Sequence, residues 1–156
     1  MKKTTGEKVL AQNRRANFDY FLSDFLEVGI VLSGTEVKSL RAGGGSLSDS
    51  YVISRNQELF LLNMHIAPYK QGTIFNHEPL QTRKLLAHHQ EIIKLTKATQ
   101  EKGLTIIPLK VYLKKGLIKV LIAVAKGKKN FDKRESIKKK ETEQKMRKAT
   151  RGLLDD

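Results

Sequence analysis

From Lys126 to Asp156 the chain carries 12 basic and 6 acidic residues in 31 positions, and its only large apolar residues there are Phe131, Ile137, Met146, Leu153 and Leu154. A segment so charged and so poor in apolar surface cannot offset the entropy of ordering itself. Any core must therefore come from residues 1–125, of which 1–12 are expected to be flexible, with 126–156 reading as a basic C-terminal tail. That tail is rich in helix formers, and Glu135/Lys139, Glu141/Lys145 and Glu143/Arg147 stand four apart. Such pairs contribute only about 0.2–0.5 kcal/mol each, so an isolated helix is marginal. The tail reads as disordered alone and helical when laid on a polyanion; a solvated tail that aids solubility is the alternative.

The apolar pattern of the body is mostly that of strands. In NFDYFLSDFLEVGIVLS (17–33) apolar residues alternate with polar ones, and SYVIS and ELFLLNMHI flank a short polar spacer, Arg55-Asn56-Gln57, suited to a hairpin, with Pro68 closing the second run. The block LTIIPLKVYLKKGLIKVLIAVAKG reads as a long final hairpin turning at Lys115-Gly116. Two stretches read as helices. GTEVKSLR ends in Gly43, Gly44 and Gly45, and the spacing of Leu85, Leu86, His89, Ile92, Ile93 and Thr96 predicts a helix over 83–97. About six short strands, one short helix and one longer one suggest a mainly β fold, a small antiparallel barrel, because closure removes exposed sheet edges.

Few catalytic signatures are present. The chain has no Cys, which removes disulfides, thiolate metal sites and Cys nucleophiles. Gly43-Gly44-Gly45 lacks the Lys-Ser/Thr of a phosphate loop, as does Gly127-Lys128-Lys129, and His88-His89 are adjacent rather than at metal-ligand spacing. No metal, cofactor or small-molecule substrate is implied. Asp24 and Glu27 are a conceivable carboxylate pair for an RNA-processing enzyme, although two acids in a basic protein more often form ion pairs. No apolar run approaches a membrane span, and MKKTTGEKVLAQNRR lacks a signal-peptide apolar stretch, so the expected location is the cytoplasm.

What remains is charge: 30 basic against 16 acidic residues, a formal net of +14. Such a field calls for a polyanionic partner. Asn13-Arg14-Arg15 leads into Phe18 and Tyr20, Lys38 and Arg41 share the short helix, and Arg83-Lys84 opens the longer one. Arg and Lys neutralise phosphates, Asn reads sugar or base edges, and aromatic rings stack on unpaired bases. Taken singly, each basic pair is also compatible with a solvated face.

Six stretches occur together: NRRANFDYF, FLEVGIVLSGTEVKSLRAG, SLSDSYV, NMHIAPY, TRKLLAHHQEI and AKGKKNFDKRESIKKK. In content, order and spacing they resemble the SmpB family (small protein B, the SsrA-binding proteins), which accompanies transfer-messenger RNA (tmRNA) in bacterial trans-translation. The match spans Asn13 to Lys140, about four-fifths of the chain, and fades beyond it toward GLLDD.

The resemblance implies an OB-like barrel that binds the tRNA-like domain of tmRNA. It also implies a tail that enters the decoding site and mRNA path of a stalled ribosome, and an adaptor rather than a catalyst. Carried over by position, Asn13, Glu27 and Leu86 are the body's RNA-binding residues, with Tyr20 beside them. Arg14, Arg15, Lys38, Ser39, Arg41, Arg83 and Lys84 are phosphate contacts. Glu27 is either a buried acid or an RNA-facing one that would accept from a base edge or orient an Arg, and core packing on the longer helix is the competing role for Leu86. In the tail, Gly127 would release the chain from the barrel, and Lys128, Lys129, Asp132, Lys133, Arg134 and Lys138 would meet ribosomal RNA. Phe131 would supply a stacking ring. A ribosome-associated structural protein and a generic RNA-binding module are the alternatives.

Overall fold

The structure is a computed structural model that describes residues 7–71, 76–100, 103–129, 133–134, 137–142 and 144. Phe131, Asp132 and the GLLDD segment lie outside the described residues.

In chain order the elements are β1 (Glu7–Gln12), α1 (Ala16–Asp19), β2 (Tyr20–Ile30), α2 (Gly34–Arg41), β3 (Gly45–Ser46), β4 (Tyr51–Arg55) and β5 (Glu58–Leu62). They continue with β6 (His65–Ile66), β7 (Arg83–Leu86), α3 (His89–Ala98), β8 (Leu104–Lys114) and β9 (Leu117–Gly127). Seven strands form one antiparallel sheet in the order β1-β8-β4-β5-β7-β2-β9, and β9 returns to pair with β8. The sheet thus closes into a ring of β8, β4, β5, β7, β2 and β9, an OB-like barrel, while β3 and β6 pair separately. One edge of β8 is shared: its end pairs with β1 from Lys110 to Lys114, and nearer its start Ile106 meets Val52 of β4. Inward-facing Val28, Leu59, Leu61, Leu85, Val111, Val120 and Ile122 fill the barrel, each no more than 3 % exposed.

Local chemistry explains most of these elements. Asn56 and Gln57 both have positive φ (52° and 62°), as do Lys115 and Gly116 (51° and 78°), the geometry whose twist matches a two-residue hairpin. Helix α2 opens with a reciprocal cap: Ser33 Oγ accepts from the Glu36 amide, and the Glu36 carboxylate accepts from the Ser33 amide at 2.9 Å. It ends where Gly43, at φ 90°, donates to Leu40 O and Gly44 donates to Ser39 O, the paired bonds of a Schellman stop.

Three expectations are corrected. Residues 7–12, expected to be flexible, form β1 and pair with β8. Residues 17–19, read as strand, belong to the single turn α1. The helix expected over 83–97 is a strand followed by a helix. Arg83 and Leu85 point inward while Lys84 and Leu86 point out, and α3 begins only at His89, where the Glu91 carboxylate accepts from the His88 amide at 2.9 Å. The barrel strand β9 runs to Gly127, two residues past the expected domain edge.

Candidate nucleic-acid interface

Two groups of polar and basic side chains form on the barrel. The first surrounds α1. Leu109 is the extra residue of a bulge in β8, between the pairs Pro108/Ile122 and Lys110/Leu121. Asn13 closes that bulge: its amide donates to Leu109 O at 2.7 Å and its side-chain Nδ2 to Pro108 O at 3.3 Å. Arg14 and Arg15 then project to solvent, with the Arg15 guanidinium 5.1 Å from the Phe18 ring centre and 3.5 Å from the Asp19 carboxylate. Asn13, Arg14, Arg15 and Tyr20 line a polar groove of about 510 Å³ opposite Ser48-Asp49-Ser50.

The base of the tail joins this group. Gly127 pairs with Tyr20 at the end of β9, so it keeps the chain on the barrel rather than releasing it as expected. Beyond it, the Lys128 amide donates to Asp19 O and Lys128 Nζ to Asn17 O, both at 2.9 Å, with the same ammonium 5.0 Å from the Phe21 ring. Lys133 reaches back to Asp19 at 3.5 Å and lies over Phe18. Lys129 accepts through its carbonyl from the Lys133 amide, and Arg134 and Lys138 fall in helical, exposed stretches.

The second group lies further along β2, about 27 Å from Tyr20 at the usual strand rise. Gly29 of β2 faces Leu86 of β7 on one side and Lys119 of β9 on the other, and Lys119 in turn faces Tyr112 of β8. Gly29 is what lets Leu86 approach, since a Cβ added there would sit 3.3 Å from the Leu86 Cβ. Leu86 is 52 % exposed, which settles its competing role: it does not pack in the core. Arg41 of α2 completes the wall of a mainly apolar groove of about 380 Å³ with Gly29, Leu86 and Lys119. Lys84, two residues from Leu86, is on the same face and pairs with Glu58 at 3.2 Å. Lys38 stands apart, its ammonium 5.7 Å from the Tyr69 ring.

Glu27 shares this face. It accepts from the Tyr112 hydroxyl and from Lys114 Nζ at 3.4 Å. The Tyr112 hydrogen bond holds the Glu27 carboxyl below its ordinary range; burial opposes this, and Lys114 and Lys119 assist it. Burial, reinforced by the neighbouring carboxylate, pushes the Tyr112 phenol up, so the hydroxyl stays a donor to Glu27. Glu27 is thereby kept anionic among lysines as an acceptor. Asp24 sits in a bulge of β2 with φ 52°, and Glu27 is committed to Tyr112 and Lys114, so the two do not form a carboxylate pair.

Two expected phosphate contacts are corrected. Arg83 is 2 % exposed: its Nε donates to Glu36, its Nη1 to Met64 O at 2.6 Å and its Nη2 to Pro79 O at 3.1 Å. A guanidinium with its donors so committed ties α2 to the strand ends and cannot meet a phosphate. Ser39 is 4 % exposed and donates to Ala67 O at 2.6 Å. Conversely, the sequence reading passed over Lys110, Lys114 and Lys119. Lys110, Tyr112 and Lys114 alternate along β8, so a period-of-two reading would have put them on one face. Among the described residues, no group of His, Asp and Glu is arranged to hold a metal ion, and no helix is long and apolar enough to cross a membrane.

A basic antiparallel barrel with exposed cationic faces and a charged extension defines a class: a polyanion-binding β-barrel module. The model of the SmpB protein family matches residues 10–152. The chain is 54 % identical over 144 residues to the SsrA-binding protein of Bacillus subtilis (strain 168), covering 92 % of each chain. It is 54 % identical over 146 residues to that of Desulforudis audaxviator, covering 94 % of this chain and 95 % of the relative. A solved structure described as "tmRNA-SmpB: a journey to the center of the bacterial ribosome" aligns at 43 % identity with a TM-score of 0.66, covering 81 % of this chain and 92 % of that one. The chain belongs to the SmpB family.

Proposed function

We propose that this chain is the tmRNA-binding adaptor of trans-translation, a binding protein and not an enzyme, acting on stalled ribosomes in the cytoplasm. The barrel binds the tRNA-like domain of tmRNA, and the tail occupies the decoding site and mRNA path. The observation that carries this reading is the convergence of exposed Glu27, Arg41, Lys84 and Leu86 and half-buried Lys119 on one barrel face, in a chain of the SmpB family. Asn13, Arg14, Arg15 and Tyr20 form a separate group from which the tail departs, beside Lys128, Lys129 and Lys133. The strand β9 runs to Gly127, which supports drawing the working division between body and tail near Lys129.

Binding to tmRNA against an excess of ordinary tRNA, repeated across salt, tests the reading, because non-specific phosphate binding collapses steeply with salt. Tight, tRNA-resistant binding at physiological salt is expected. Equal competition by tRNA would make the chain a generic RNA-binding module, and stoichiometric presence in purified, non-stalled ribosomes would make it a ribosomal structural protein.

A further inference from the structure

Within the tail, the function proposed above gives no separate role to Leu153-Leu154-Asp155-Asp156, which follows residue 152, where the family match ends. Two adjacent leucines and two carboxylates run against the basic character of the tail before them. The groove between α2 and the β8–β9 turn offers what this segment lacks. Leu86 and Leu117 stand 52 % and 61 % exposed at its rim, Gly29 and Gly116 leave room between them, and Arg41 and Lys119 supply cations beside the apolar surface. Arg41 forms no ion pair among the described residues.

Two other cavities suit the segment less: the groove at Asn13 sets Asp19 and Asp49 beside Arg14 and Arg15, and the small cavity under α3 sets Asp24 and Glu91 beside Lys94, so in each the acids at least match the cations. Reach is sufficient. Gly127 and Lys119 are eight residues apart on β9, about 27 Å, and the 23 residues from Asn130 to Gly152 span about 35 Å even as a continuous helix.

We propose that Leu153 and Leu154 seat in this groove of their own chain when no RNA is bound, with Asp155 and Asp156 against Arg41 and Lys119. The docking itself stands independently of the RNA reading. Its consequence rests on that reading: the docked segment covers Leu86 and Arg41, so RNA displaces it.

The chain has no Cys, so Arg151→Cys gives a single attachment point for a nitroxide label on the full chain. Without RNA, the Leu86 and Leu117 methyl resonances lose most of their intensity to the nitroxide, and the additional pair Leu153→Ser and Leu154→Ser restores it. Unchanged intensity, or broadening that survives the serine pair, overturns the docking. Broadening seen only when nitroxide-bearing chains are mixed with separate isotope-labelled chains assigns the groove to a second copy and overturns docking within one chain. If the segment is docked nine-tenths of the time, the serine pair tightens RNA binding about tenfold. Released methyls with unchanged RNA affinity keep the docking and remove this groove from the RNA surface.

Discussion

Arg83 is where the chemistry of single residues matters most. Its side chain and that of Glu36 are each 1 % exposed, and Glu36 Oε1 also caps α2 through the Ser33 amide. Removing one partner of such a pair leaves a buried charge, at about 3–5 kcal/mol. Arg83→Met is therefore expected to lower the urea midpoint sharply, whereas Lys84→Met, at the exposed neighbour, changes stability by under about 0.5 kcal/mol. Acid adds a second signature. Burial alone would raise Glu36, but the Ser33 amide and the Arg83 guanidinium outweigh it, and the net direction is down from 4.5. The unfolded chain then binds its proton first. The stabilisation is full above the ordinary carboxylate value and is lost as pH falls through the depressed folded one. Urea unfolding from pH 7 to pH 3 should show stability declining below about pH 5, with Glu36→Gln flattening that decline. An equally steep decline in the variant would assign it to other carboxylates.

At the scale of elements, what could be read in advance was what is local. The hairpin turns at Asn56-Gln57 and Lys115-Gly116 and the glycine stop after α2 follow from a few adjacent residues. One turn is suboptimal: Gln57 holds φ 62°, where a side chain costs about 1 kcal/mol and glycine little. Gln57→Gly is expected to stabilise the chain by about 0.5–1 kcal/mol in chemical denaturation; destabilisation would mean that the Gln57 side chain has a packing role. The strand β7 was illegible because it runs straight into α3, so Leu85 and His89 fall four apart by accident. Its inward residue Arg83 finds its partner Glu36 47 positions away. The same distance effect hid the site's membership. Glu27, Leu86, Arg41 and Lys119 meet only through the register that sets Gly29 against both β7 and β9, and ring closure rests on Val52 opposite Ile106.

The whole molecule divides its charge unevenly, and that makes the roles of body and tail separable. Residues 130–156 hold 9 of the 30 basic and 6 of the 16 acidic residues, so ending the chain after Lys129 removes a net of only +3 from +14. Lys128, docked on Asn17 and Asp19, stays with the barrel, as do both grooves. The slope of log affinity against log salt counts phosphates neutralised, close to one per contact on duplex RNA by analogy with DNA. If the body alone holds tmRNA, the chain ending at Lys129 loses no affinity and gains up to about tenfold where the docked Leu153-Leu154 segment leaves with the tail, keeps the salt slope within about one unit, and fails to support tagging on stalled ribosomes. Glu27→Ala in the full chain should do the reverse to affinity. It leaves Lys114 and Tyr112 without their acceptor and weakens specific binding about tenfold with little change of slope, because no cation is lost. A truncation that lowered affinity and slope together would show the tail holding tmRNA as well, and the division at Lys129 would fall.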